Sequence, residues 1–160
     1  MAAREYIAEN IDSAFFSEVF GSRVTVGEPT RIGSGQVGMN LRFAVESSDP
    51  KVPRSIVVKL ASPDEKSRAT GMALRNYERE VKFYKEVQPT VDIRVPHCWF
   101  ADWNEETGFF VLVMEDMAPA VQGDQIAGCA LSEAEVAIDE LARLHGPRWG
   151  DESLHSLDWV

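Results

Sequence analysis

The sequence predicts an α+β fold: a five-stranded antiparallel sheet carrying one packed helix, with a further helix at each end of the chain. Two observations carry that expectation. Apolar residues alternate with polar ones within residues 24–60 and recur as short runs at 98–114, the signature of strands, while residues 72–87 show the 3.6-residue period of a helix. Turn formers (GSGQVG, SSDPKVP, NEETG) punctuate the runs. A content of 44% apolar and 26% charged residues over 160 positions is that of a chain able to bury a core.

The elements follow in order. Ile7, Ile11, Phe15 and Val19 recur at helical spacing, with Phe16 and Phe20 beside them, and Gly21 is placed to end an N-terminal helix within residues 1–23. Residues 24–32 (VTVGEPTRI) read as one strand. After the glycine turn, Met39, Leu41, Phe43 and Val45 alternate with Asn40, Arg42, Ala44 and Glu46. SIVVKL is the third strand, with Ile56, Val58 and Leu60 on one face and Val57 and Lys59 on the other, so an antiparallel meander is expected. ASPDEKSRATG reads as a polar connection. The helix at 72–87 then places Leu74, Tyr77, Val81 and Tyr84 on one stripe, with Glu78 and Lys82 as an ordinary surface pair. CWFADW and FFVLVM flank NEETG, whose Gly108 suits a hairpin turn. A last helix starts near Leu131, with Ser132 and Glu135 in capping-box spacing, and ends at Gly146. The chain thus divides into a helix at 1–23, a sheet-bearing lobe at 24–117 and a helical segment at 118–160.

Composition removes some partners. A net charge of −10 disfavours nucleic acid and anionic membranes, which repel an acidic surface. Cys98 and Cys129 have neither CxxC nor His-pair spacing, so reduced thiols are expected, with no disulfide or zinc site. The N-terminus lacks the basic start and apolar middle of a signal peptide, and the longest apolar run, 109–114, is too short for a bilayer. A cytoplasmic location is the expectation.

Three features could carry chemistry. Gly33, Gly35 and Gly38 form GxGxxG, found in two kinds of nucleotide site and in plain hairpin turns. A dinucleotide fold requires a helix directly after the glycines, whereas an alternating strand follows here, so strand, glycine turn, strand is the order that lets backbone N–H groups fold over ATP phosphates. Lys59 stands inside IVVKL, where a buried ammonium needs an anion; a strand lysine reaching solvent is the alternative. Glu80 shares a helical line with Ala73, Phe83 and Val87, which turns its carboxylate to the packed side and leaves Glu78 and Glu86 for solvent. An ion pair of Lys59 with Glu80 is expected.

The succession GSGQVG, SIVVKL, NYEREVKFY, RVPHCW, FFVLVMEDM, LARLHG resembles the aminoglycoside phosphotransferase and ecdysteroid-kinase-like group, over most of the chain. The resemblance implies a protein-kinase-like N-terminal lobe that binds ATP and serves transfer of its γ-phosphate to a small-molecule hydroxyl. It places Gly33, Ser34, Gly35, Gln36 and Gly38 over the nucleotide, Lys59 on its α and β phosphates, Glu80 on the lysine, Met114 behind the adenine, and Glu115 and Met117 on the adenine edge. The group's HGDxxxxN loop, which would supply the catalytic Asp and a ligand for Mg2+, has no counterpart. His145 and Gly146 continue as PRWGD, and every Asn (Asn10, Asn40, Asn76, Asn104) precedes residue 115. The 43 residues of 118–160 are too few for a helical substrate lobe, on the order of 100 residues. A truncated chain, inactive by itself, is therefore expected, with no catalytic or metal-binding residue assigned and the acceptor pocket elsewhere. The apolar end, LHSLDWV, offers a surface for the missing lobe or for self-association. A naturally short nucleotide-binding or protein-interaction module without chemistry is the rival expectation.

Overall fold

In the computed structural model, residues 5–33, 35 and 37–160 are described. The fold is α+β: one antiparallel sheet of six strands and, among the described residues, four α-helices. The strands are β1 (Thr25–Val26), β2 (Thr30–Ile32), β3 (Gly38–Glu46), β4 (Ser55–Ala61), β5 (Cys98–Trp103) and β6 (Phe110–Glu115). Their order is β1-β3-β4-β6-β5, with β2 also paired to β3. The sheet has one strand more than expected because 24–32 is divided. Thr25 and Val26 pair with Glu46 and Val45, and the Gly27 N–H still reaches the Ala44 carbonyl at 3.4 Å; Thr30 to Ile32 pair with Arg42 to Asn40, while Glu28 and Pro29 between them leave the ladder. Pro29 has no N–H to give it.

Alternation in β3, β4 and β6 gives the sheet two unlike faces. On one, Leu41, Phe43, Val45, Ile56, Val58, Leu60, Val111 and Val113 form the core with Phe15 and Phe16. Those two rings belong to α1 (Ser13–Phe20), which ends at Gly21 with φ of 63° as expected. It starts later than expected. Asp12 accepts the Phe15 N–H at 2.8 Å and so caps the helix at Ser13; Ile7 and Ile11 lie before it, on either side of a 3-10 turn at Ala8–Asn10.

The other face carries α2 (Glu65–Ala73) and α3 (Asn76–Lys82), which continues into a π-helical turn at Phe83–Val87. The expected single helix at 72–87 is thus corrected twice. The polar stretch before it is helical, because Asp64 caps α2 by accepting the Ser67 N–H at 2.8 Å. The two helices are separated at Arg75, whose φ is 54°. A left-handed arginine costs about 1–2 kcal/mol, and the residue is held there by its guanidinium, forked on Glu78 at 2.7 and 2.8 Å. Glu78, expected in solvent, is therefore buried, and Leu74, expected on the packed stripe, is 56% exposed. Tyr77 and Val81 are buried as expected.

The chain forms two compact units, residues up to Val81 with Pro96–Asp116, and Lys82–Val95 with Met117–Val160. In the second, α4 (Leu131–His145) starts one residue earlier than the expected cap. Glu133 reaches back to the Ala130 N–H at 2.7 Å, and alanine has no side-chain acceptor to complete a box. Gly146 stays right-handed and leads into a 3-10 turn, Gly146–Arg148. The apolar end is not uniformly free: Trp159 is 7% exposed and donates its indole N–H to Glu86 at 2.7 Å, whereas Trp149 is 84% exposed. Among the described residues no helix is long and apolar enough to cross a membrane, and Cys98 and Cys129 form no disulfide.

Gly71 in α2 leaves no room for a side chain on the sheet's helical face. A Cβ there would lie 2.4 Å from the Tyr77 ring. In an open helix Gly to Ala stabilises by about 1 kcal/mol. Here Gly71→Ala is expected to destabilise by roughly 1–3 kcal/mol through overpacking, read as a lower midpoint in urea unfolding.

Candidate functional site

The glycine turn joins β2 to β3, so it stands between two strands as its sequence suggested. Gly33 has φ of 70°, which a side chain would strain. At the far side of the turn, a Cβ on Gly38 would sit 3.3 Å from the Leu60 carbonyl oxygen and 3.6 Å from Lys59 Cε. The bare backbone there lets the lysine stem pass beneath it. A Cβ on Gly35 would stand 3.0 Å from the Gly38 carbonyl oxygen. Ser34 and Gln36, expected over the same ligand, lie outside the described residues.

Lys59 sits in the middle of β4, with Asn40 on one side in register and Leu112 on the other. All three belong to the face opposite the core. Lys59 Nζ meets Glu80 Oε1 at 2.6 Å, so the expected pair is formed between β4 and α3. Both side chains are 30% exposed. One ammonium N–H is occupied by the carboxylate, and a lysine has two more to offer.

Two residues towards the start of β4, Val57 stands between Arg42 of β3 and Met114 of β6, and both Val57 and Met114 are buried. Glu115 follows at the end of β6. Its N–H donates to the His97 carbonyl at 2.8 Å and its carboxylate accepts the His97 N–H at 3.0 Å. The expected adenine-edge residues do not all fall in one unit, since Met117 opens the second.

Sequence reasoning missed two arrangements on this face. Asp116, present in the sequence only as part of FFVLVMEDM, accepts the Arg42 Nη2 N–H at 2.9 Å and the Ser55 hydroxyl at 2.5 Å, with Arg42 Nε an ion-pair contact at 2.8 Å. Its side chain is 7% exposed, so one carboxylate fastens the exit of β6 to β3 and β4. The signal available was the shared alternation phase of Arg42 and Ser55. Tyr77, read only as a core position, donates its hydroxyl to the Val37 carbonyl in the glycine turn. Burial holds this phenol above its ordinary value of 10.0, so it remains a proton donor well into alkaline solution.

The chain matches no protein-family model and no curated protein. The chemistry open to the site therefore rests on its own geometry: a cation held by a carboxylate, beside a turn whose backbone is bare of side chains at its glycines. Such a surface suits a phosphorylated ligand. Among the described residues no cluster of three or more His, Cys, Asp or Glu side chains is gathered to hold a metal.

The two carboxylates on this face have unlike stability roles. Asp116→Ala leaves a partly buried guanidinium and a hydroxyl without their acceptor and is expected to cost about 2 kcal/mol. Glu80→Ala breaks a half-exposed pair and is expected to cost under ~1 kcal/mol. Urea unfolding of the two variants beside wild type checks the order; a larger loss for Glu80→Ala would reverse it.

Proposed function

We propose that this chain is the ATP-binding, protein-kinase-like lobe of a small-molecule phosphotransferase, which moves the γ-phosphate of ATP to a hydroxyl group. The observation that supports it best is the 2.6 Å contact of Lys59 with Glu80 directly under Gly38. An ammonium fixed by a carboxylate beside a glycine turn is a phosphate-positioning arrangement, and phosphoryl transfer is catalysed chiefly by positioning and charge. In this reading Lys59 meets the α and β phosphates, the N–H groups around Gly33, Gly35 and Gly38 face them, and Glu80 keeps the ammonium from swinging away. Val57 and Met114 offer apolar surface to the adenine, with the main chain at Glu115 on its edge. The acceptor hydroxyl, the base that takes its proton and the ligands of Mg2+ are assigned to no residue of this chain. In this reading the chain by itself binds nucleotide.

A thermal melt with increasing magnesium ATP tests the reading. At ten times the dissociation constant, stabilisation is about 1.4 kcal/mol, or a rise of roughly 3–6 °C for a chain of this size. Lys59→Ala is expected to keep the fold and to weaken ATP at least about tenfold. No saturable rise in wild type would favour an interaction module, and an equal rise in Lys59→Ala would remove the lysine from the site.

A further inference from the structure

Tyr77 lies one helical turn before Glu80 on α3, so the two side chains leave the same side of the helix. Its ring is stacked on buried Phe110, with centroids 4.6 Å apart and planes 18° from parallel, in space that Gly71 leaves open. Phenylalanine would fill that space equally well. What the hydroxyl adds is its bond to the Val37 carbonyl, the last link of the glycine turn before β3. The same oxygen accepts the Ser62 N–H at 3.2 Å, just beyond the end of β4. One carbonyl thereby joins the glycine turn, β4 and α3, while Glu80 joins α3 to β4 again through Lys59.

We propose that Tyr77 is a positioning residue that locks the glycine turn to α3, so that the turn and Lys59 are held at one height for a polyphosphate. The proposal rests on the ATP reading above and deepens it. The helix contributes two fasteners three residues apart: the Tyr77 hydroxyl sets the backbone that faces the phosphates, and the Glu80 carboxylate sets the cation. Motion of α3 would carry both together. The part of the ligand that senses the lock is the phosphate chain and not the base.

Tyr77→Phe separates the lock from the packing, since the ring stack on Phe110 survives. With ATP and adenosine as probes, ATP affinity is expected to fall about five- to tenfold, the worth of one hydrogen bond, while adenosine affinity stays at the wild-type value. Hydrogen exchange should quicken at the Ser62 amide, which donates to the same Val37 carbonyl, in the absence of any ligand. Equal losses for ATP and adenosine would mark a merely structural residue and overturn the proposal, as would unchanged ATP affinity. Were wild type to bind neither probe, the ATP reading itself would fall; exchange would then still judge the lock, with unchanged protection at Ser62 refuting it.

Discussion

The contact between Lys59 and Glu80 links the middle of β4 to α3, and much of the sheet's helical face is arranged around it. An ammonium on a strand whose neighbours are Asn40 and Leu112 must be given an anion or reach water. The supply comes from a short helix that could sit there only because Arg75 turns left-handed and because Gly71 lets the Tyr77 ring in. Stability does not explain the effort. A pair with both members 30% exposed contributes little to folding, whereas the buried carboxylate of Asp116 and the core around Phe16 and Phe43 carry far more.

The two faces of the sheet divide the work. Leu41, Phe43, Ile56, Val58, Leu60, Val111 and Val113 hold α1 and fix the strands to one another. The opposite face repeats a different set along the same strands: Lys59 near the glycine turn, then Val57 with Met114, then Ser55 with Arg42 and Asp116. A cation, an apolar patch and a fastened strand end follow one another along β4. Period-two alternation produces this layout directly, because a strand cannot give one side an apolar core without presenting its other residues opposite.

Much of this was legible in the sequence. Alternation in β3 and β4 located both faces, Gly21 and Gly108 marked an actual helix end and an actual hairpin turn, and the helical line through Glu80 found the partner of Lys59. Other features depended on neighbours distant in sequence or on local capping. Residues 24–32 look like one strand until Pro29 is set against the ladder of β3. The polar run 65–71 is helical because Asp64 satisfies its first turn, not because it has an apolar stripe. Glu78 has the spacing of a solvent residue and is buried only because Arg75 folds back on it. The Tyr77 hydroxyl acquires its role from a carbonyl 40 positions away, which no periodicity reveals. Trp159, read as the end of an exposed apolar segment, likewise packs back to reach Glu86.

The most direct test of the central claim, that Lys59 stands where the phosphates of ATP lie, is covalent labelling with an acyl-phosphate derivative of ATP. A lysine amine beside the phosphate chain attacks the acyl carbon, forming an amide and releasing ATP, and peptide mapping then shows which lysine has been modified. The account predicts Lys59 as the principal modified residue, protection by excess ATP, and loss of that protected labelling in Lys59→Ala. Labelling spread over Lys51, Lys66 and Lys85 without protection by ATP would contradict it.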